Sequence, residues 1–248
     1  MMYRSTNPTL SDSTFDKSNY KHNSWDEESN FMTMEGTVEK TAILLILTTT
    51  LAIATYITIP ELSVIGFLGG IITFLIIVFT KSTSPFLICS YAIFEGILLG
   101  GLTYFIENSV DYPGLGILAA ALTFVILGSM LAIYRAGIIS WNRNLAIAVY
   151  SSLVAILIIY LISFIGIFLG YKIPLIHGNG LVGIGFSLFV IGIGALCLVA
   201  DFDFIERGVE RGAPKQLEWR AAFGLMVTLI WLYIEILFLL AKLAFRSE

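Results

Sequence analysis

Seven long apolar stretches, each of about twenty residues, constrain this chain more than any other feature of its sequence. A helix needs about 20 mostly apolar residues to cross the hydrocarbon core of a bilayer, where every backbone polar group must be satisfied internally. We therefore predict an all-α membrane protein, a seven-transmembrane-helix bundle. The predicted spans are residues 41–59, 62–80, 86–106, 114–134, 145–170, 181–206 and 221–243.

The scarcity of charge supports the same class. Of the 248 residues, 57% are apolar and 13% are charged, and the mean hydropathy is +0.89. Ordinary globular domains carry about 25% charged residues. The loops between the stretches are short, so we expect one transmembrane domain over residues 41–248 with the lipid bilayer as its partner. Neither a basic patch nor an aromatic-basic alternation indicates nucleic-acid binding.

Residues 1–40 differ from the rest because they are polar and rich in Ser, Thr, Asn and Asp. They contain no apolar core of a signal peptide, and their composition predicts a largely disordered tail. Within this tail, only the part from Met34 onward is a candidate for helix. We interpret His22 as a solvated tail residue and His177 as a lone loop residue rather than a ligand.

The distribution of Lys and Arg predicts the orientation, because cytoplasmic loops carry an excess of both. If the spans alternate in direction, all but three of the 14 basic residues fall on the side of the N-terminal tail. The exceptions are Lys172, Lys242 and Arg246, and we expect Lys242 to extend to the outer surface. The N-terminus is therefore predicted to be cytoplasmic and the C-terminus outside. As a separate expectation, the protein lies in the cytoplasmic (inner) membrane.

Two glycine pairs predict close helix packing. Small residues at regular helical spacing let two helices approach in a bilayer. Gly96 and Gly100 form a GxxxG pattern in the third span, and Gly185 and Gly192 share one face of the sixth. We interpret both pairs as packing seams, with a flexible gate as the alternative.

Five acidic residues lie within apolar spans, where an ionisable side chain is costly and usually serves a function or has a buried partner. No Lys or Arg lies near the middle of any span. The five are Glu95, Asp201, Asp203, Glu206 and Glu235.

Helical geometry separates these acids. Arg207 follows Asp203 by four residues, a spacing that favours an ion pair, so an interfacial pair explains Asp203 and the adjacent Glu206. Asp201 lies about 200° around the helix from Asp203, among apolar neighbours. Glu235 is about 15 residues into the last span. Asp201 and Glu235 are therefore the main functional candidates.

Two further points concern the acids in the spans. The face of Glu235 also carries Thr228, Trp231 and Leu239. The role of Glu95 is left open. It is either functional, or it is a neutral acid that is hydrogen-bonded within the bundle.

If Asp201 and Glu235 meet inside the bundle, two neighbouring carboxylates without a cation cannot both ionise at low cost. Near neutral pH they would share one proton, and its loss would favour opening or cation binding. Ca²⁺ prefers carboxylate oxygens, so it is the candidate ion at this pair. We predict no resident cofactor.

Enzyme signatures are missing from the sequence. There is no HExxH or GxSxG pattern, and no lysine lies where a retinal Schiff base would need one. Cys89 and Cys197 have no metal-ligand spacing and are interpreted as small buried apolar residues. We therefore expect a protein that is not an enzyme.

The sequence DFDFIERGVERGAPKQLEW, from Asp201 to Trp219, resembles the loop of a bacterial branch of the Bax inhibitor-1/YccA family. The stretches RSTNPTL, MTMEGTVEKT, YAIFEG and WLYIEIL resemble other parts of the family, so that the similarity covers nearly the whole chain. The resemblance implies a seven-helix bundle with the last helix at its centre. It also implies a carboxylate pair on the last two helices that acts as a pH-sensitive latch on a Ca²⁺ leak pathway.

By motif, that pair falls at Asp201 and Glu235, where Glu replaces the Asp of the family pattern. The basic residue that relatives have on the second helix has no counterpart in residues 62–80. We expect a pH-sensitive cation (Ca²⁺) leak channel or exchanger, with Glu95, Asp203, Glu206 and Arg207 in supporting roles. The alternatives are proton-coupled transport of another solute and a non-transporting partner of a membrane protease or stress pathway, for which the tail would be a handle.

Overall fold

The computed structural model describes residues 30–170, 176 and 178–246, and the predictions for most of the tail, for His22 and for His177 lie outside these ranges. Within the described residues, seven helices are long and apolar enough to cross a membrane, which confirms the predicted all-α membrane protein. They are α1 (Met34–Thr58), α2 (Ser63–Thr80), α3 (Pro85–Val110), α4 (Leu115–Arg135), α5 (Arg143–Phe168), α6 (Leu181–Glu210) and α7 (Leu217–Arg246).

The helix ends follow local signals in the sequence. Helix α1 begins at Met34, as expected, because the Thr33 hydroxyl caps it by accepting a hydrogen bond from the Gly36 amide at 2.9 Å. Pro60 starts a short 3₁₀ turn between α1 and α2. Helices α6 and α7 extend beyond their predicted spans into neighbouring polar residues. The prediction missed these residues because hydropathy marks only the part of a helix that hydrocarbon would cover.

The helices form two compact units. One comprises the described residues up to Tyr104 together with Ala200–Thr228, and the other comprises Phe105–Val199 together with the residues from Leu229 onward. Helices α6 and α7 therefore each contribute to both units. Asp201 belongs to the first unit and Glu235 to the second.

The glycines of α3 form the packing seam that the sequence predicts in the first unit. A Cβ atom at Gly96 would lie 2.6 Å from the carbonyl oxygen of Thr48 on α1, which is closer than real Cβ atoms approach. A Cβ at Gly100 would collide with the carbonyl oxygen of Ala52 in the next turn of α1. The two backbones pack so closely because no side chain separates them.

The prediction of a second seam at Gly185 and Gly192 is wrong for the described residues. A Cβ at either position would meet nothing within 4 Å. Gly194 takes this role, since a Cβ there would lie 2.7 Å from the Leu232 side chain of α7. A spacing of seven residues shows that two glycines share a face, but it does not show which face meets another helix.

Helix α7 is the most buried of the seven described helices. In its most apolar window 61% of the residues are inside the protein, against 17% in α4 and in α5. Burial of this extent is what a central helix requires. The described cysteines differ, since Cys197 on α6 is buried and Cys89 on α3 is half-buried.

Candidate functional site

Asp201 is buried in the first unit, with 1% of its surface exposed. Its Oδ2 atom accepts a hydrogen bond of 2.7 Å from the hydroxyl of Thr228, which is buried on α7. A carboxylate in an apolar helix thus has a neutral hydroxyl as a hydrogen-bond donor, as buried polar groups require.

Glu235 is buried in the second unit and also has neutral donors. The Tyr160 hydroxyl on α5 donates to Oε1 of Glu235 at 2.6 Å, and Nε1 of Trp231 donates to the same oxygen at 3.1 Å. Trp231 is one turn before Glu235 on α7, so the shared face that the sequence predicts places it in reach. Tyr160 was not among the sequence candidates, because it reaches this oxygen from a different helix.

Lys242 is partly buried and bonds to α6 rather than to Glu235, and its extension to the outer surface stays a prediction. Its Nζ atom donates to the Ser187 hydroxyl at 2.8 Å and to the Gly183 carbonyl oxygen at 3.2 Å, both on α6. A buried hydroxyl and a carbonyl near the start of α6 supply the acceptors that water would otherwise supply. The charge of Lys242 acts on Glu235, two turns earlier on α7, without a hydrogen bond between them.

Asp203 and Arg207 form the ion pair that their spacing predicts. The Arg207 guanidinium donates to Oδ2 of Asp203, and its Nε atom also donates to the Asp203 carbonyl oxygen at 3.3 Å. Both side chains are partly exposed, and Glu206 beside them is exposed. The ion pair is thus confirmed, while the position of these residues at a membrane interface stays a prediction.

Glu95 is buried on α3 in a space that a glycine leaves open. A Cβ at Gly70 on α2 would lie 2.8 Å from Oε1 of Glu95. The Tyr91 side chain lies one turn earlier on α3 and interacts with the Glu95 carboxyl group. The Tyr91 ring packs edge-on against Phe223 of α7 at 4.9 Å. Glu95 is thus a buried acid among the helices of the first unit, and its role stays open between the two predicted alternatives.

A further buried carboxylate, Glu218 in the first turn of α7, was missed by sequence reasoning. It is completely buried, and its Oε2 atom contacts Nζ of Lys40 at 2.6 Å. Its Oε1 atom accepts from the backbone amide and the hydroxyl of Thr33, at 2.9 and 3.0 Å. Glu218 therefore connects α1 to α7 through one ion pair and two hydrogen bonds.

Residues 30–33, which we call the N-terminal strap, lie against the loop between α6 and α7. The Met32 amide donates to the Ala213 carbonyl oxygen at 2.7 Å, and the Lys215 amide donates to the Asn30 carbonyl oxygen at 2.8 Å. The buried Met32 side chain packs with Phe204 and other apolar residues of this region. The strap thus contacts α6 one turn after Asp201.

Glu107 is another buried acid that the predicted spans did not include, since it follows the third one. Its Oε1 atom accepts a hydrogen bond of 2.8 Å from the Gly116 amide. Gly114, the capping residue of α4, offers no side-chain oxygen to the helix start. Glu107 therefore satisfies an amide of the first turn of α4, which is a structural role.

Among the described residues, no group of three or more His, Cys, Asp or Glu side chains is arranged to hold a metal ion. A family model described as Bax inhibitor 1 like matches residues 7–245 of the chain. None of the curated proteins and none of the solved structures compared with the chain matches it.

Proposed function

Because the chain belongs to the Bax inhibitor 1 like family, we propose that it is a pH-sensitive cation leak channel or exchanger with Ca²⁺ as the transported ion. Asp201 and Glu235 are the carboxylates that respond to pH in this proposal. The protein would act in the cytoplasmic membrane, with its N-terminus on the cytoplasmic side, as the distribution of basic residues favours.

The observation that carries the proposal is that each of the two carboxylates accepts a hydrogen bond from a neutral donor. Thr228 donates a hydroxyl hydrogen to Asp201, and Tyr160 and Trp231 donate to Glu235. A neutral donor can bind a carboxylate oxygen whether or not the acid carries a proton. Such a site can therefore exist in both protonation states, which is the requirement for a pH response.

In the proposed mechanism, the protonated acids are neutral and keep their hydrogen bonds to the neighbouring helices. In this state the two acids themselves carry no charge, so they do not favour entry of water or a cation. Loss of a proton leaves a negative charge that is costly in hydrocarbon unless water or a cation reaches it. Ca²⁺ suits such a site, because it binds carboxylate oxygens and exchanges them readily for water. Direct contact between Asp201 and Glu235 stays a prediction of the resemblance.

The test is Ca²⁺ flux into liposomes that hold the purified full-length protein, measured between pH 6 and pH 8 with an enclosed indicator dye. We expect flux that changes with pH and that loses this dependence in Asp201→Asn and Glu235→Gln. Glu210→Gln is the matched control, because Glu210 is an exposed acid at the end of α6. Unchanged pH-dependent flux in the double variant of Asp201 and Glu235 would contradict the proposal.

Removal of residues 1–29 separates transport from the alternative role as a partner of a membrane protease or stress pathway. This truncation keeps the N-terminal strap and the contacts of Thr33 and Lys40 with Glu218. A transporter should retain its flux after the truncation. A protein that acts through its tail would instead lose its cellular effect while any flux stayed the same.

A further inference from the structure

We propose that Tyr160 and Trp231 are positioning residues that hold one oxygen of Glu235, Oε1, so that the other oxygen, Oε2, gains and loses the proton. The inference rests on the proposed function, because it assigns the proton of that site to one atom. It concerns a single side chain and its neighbours within the second unit.

The first observation is that both donors form hydrogen bonds with the same atom, Oε1. Tyr160 and Trp231 approach Oε1 to 2.6 and 3.1 Å, and Oε2 receives no hydrogen bond from the described residues. A carboxylate oxygen offers two lone-pair sites, so two donors occupy Oε1. The lone pairs of Oε2 are the ones left for a proton.

The second observation is that the donors are themselves held in place. The Tyr160 ring packs edge-on against Phe186 of α6, with ring centroids 6.2 Å apart. Trp231 is fixed relative to Glu235 because both belong to one helix, four residues apart. Donors from α5 and α7 therefore fix the plane of the carboxyl group, and with it the direction of Oε2.

The chemistry of a carboxyl group makes this arrangement suitable for repeated proton exchange. When the proton binds at Oε2, Oε1 becomes the carbonyl oxygen and still accepts both hydrogen bonds. Glu235 can thus change its charge without losing its two anchors. Among the described residues, the titratable groups that act on it are the Tyr160 phenol from α5 and the Lys242 ammonium on α7, which is bound to Ser187 of α6.

The test is infrared difference spectroscopy of the full-length protein in lipid nanodiscs during a pH titration. The C=O stretch of protonated Glu235 is identified as the band that Glu235→Gln removes. In Tyr160→Phe, the ionised carboxylate loses a donor, so we expect the band to shift in frequency and the proton affinity to rise about tenfold. Trp231→Phe removes the other donor and should shift the band in the same direction.

Tyr112→Phe is the matched control, because Tyr112 is exposed in the loop before α4 and should leave the band unchanged. A Glu235 band that keeps its frequency and its titration midpoint in both Tyr160→Phe and Trp231→Phe would overturn the assignment. If either variant fails to fold, the other still decides the question. A shifted band in a protein without Ca²⁺ flux would support the positioning role and count against the transport proposal, so the two failures are distinguishable.

Discussion

Glu218 and Glu235 are both buried glutamates of α7, but their surroundings differ in kind. Glu218 contacts the ammonium of Lys40 and accepts two further hydrogen bonds from Thr33. Glu235 accepts hydrogen bonds from Tyr160 and Trp231, while the nearby Lys242 is bound to Ser187 instead. One glutamate is paired with a cation, and the other is held by neutral groups.

The difference teaches what each buried acid can do. A carboxylate beside an ammonium group is stabilised in its charged form, and loss of either partner leaves a buried charge without compensation. A carboxylate among neutral donors has no such preference imposed by a contacting charge. The structure thus contains an acid suited to holding helices together and an acid suited to changing its protonation state.

Removal of the cation from Glu218 should have the largest effect. We expect Lys40→Met to lower the free energy of unfolding by about 3–5 kcal/mol, since Glu218 remains buried and charged. Reversible unfolding in mixed detergent micelles measures this change. The double variant Lys40→Met, Glu218→Gln should recover much of the loss, and equal destabilisation of the single and double variants would contradict the pairing.

Removal of one neutral donor from Glu235 should cost less. We expect Tyr160→Phe to lower the free energy of unfolding by about 1–2 kcal/mol, because Trp231 still donates to the same oxygen. The same unfolding measurement applies, with Tyr112→Phe as the control. A loss as large as that of Lys40→Met would remove the contrast between the two glutamates.

Replacement of Glu235 itself by Gln should change stability by less than about 1 kcal/mol, because the amide oxygen can accept from Tyr160 and Trp231. The pH dependence of Ca²⁺ flux should nevertheless disappear. Glu218→Gln is the informative comparison, since it leaves the Lys40 ammonium without its carboxylate and should destabilise more. Similar free energies of unfolding for the two Gln variants would contradict the difference between Glu218 and Glu235.

The partly exposed pair of Asp203 and Arg207 should matter least. We expect Asp203→Asn to cost about 0.3–0.5 kcal/mol at low salt and less at high salt, because water and ions screen such a pair. Unfolding measured at two salt concentrations checks both values. A cost above about 2 kcal/mol would mean that this pair behaves like the buried pair of Lys40 and Glu218.

The number and order of the helices could be predicted because hydropathy and length are local properties that the bilayer dictates. The face shared by Trp231 and Glu235 could be predicted for the same reason, since helical geometry fixes it. The hydroxyl of Tyr160 could not, because it lies 75 residues away on another helix. The acceptor for Lys242 could not be predicted either, since nothing in the sequence of α6 distinguishes Ser187 from its other polar residues.

Glu218 shows a different limit of sequence reasoning. It lies just before the predicted span 221–243, so its carboxylate did not stand out as an acid in apolar surroundings. Only the fold shows that the first turn of α7 is buried and that Lys40 neutralises it. A search for buried acids by hydropathy alone misses those at the ends of helices.

The N-terminal strap also sets an order of events during synthesis. Lys40 and Glu218 are 178 residues apart, so their contact has to wait until nearly the whole chain has been made. Helix α1 is made before these partners, so Met32 lacks Phe204 and Ala213, and Lys40 lacks Glu218, until the chain has been made past α6. The strap can close only on a chain that already carries α6 and the loop that follows it. Its closure therefore distinguishes such a chain from one whose synthesis stopped within α6.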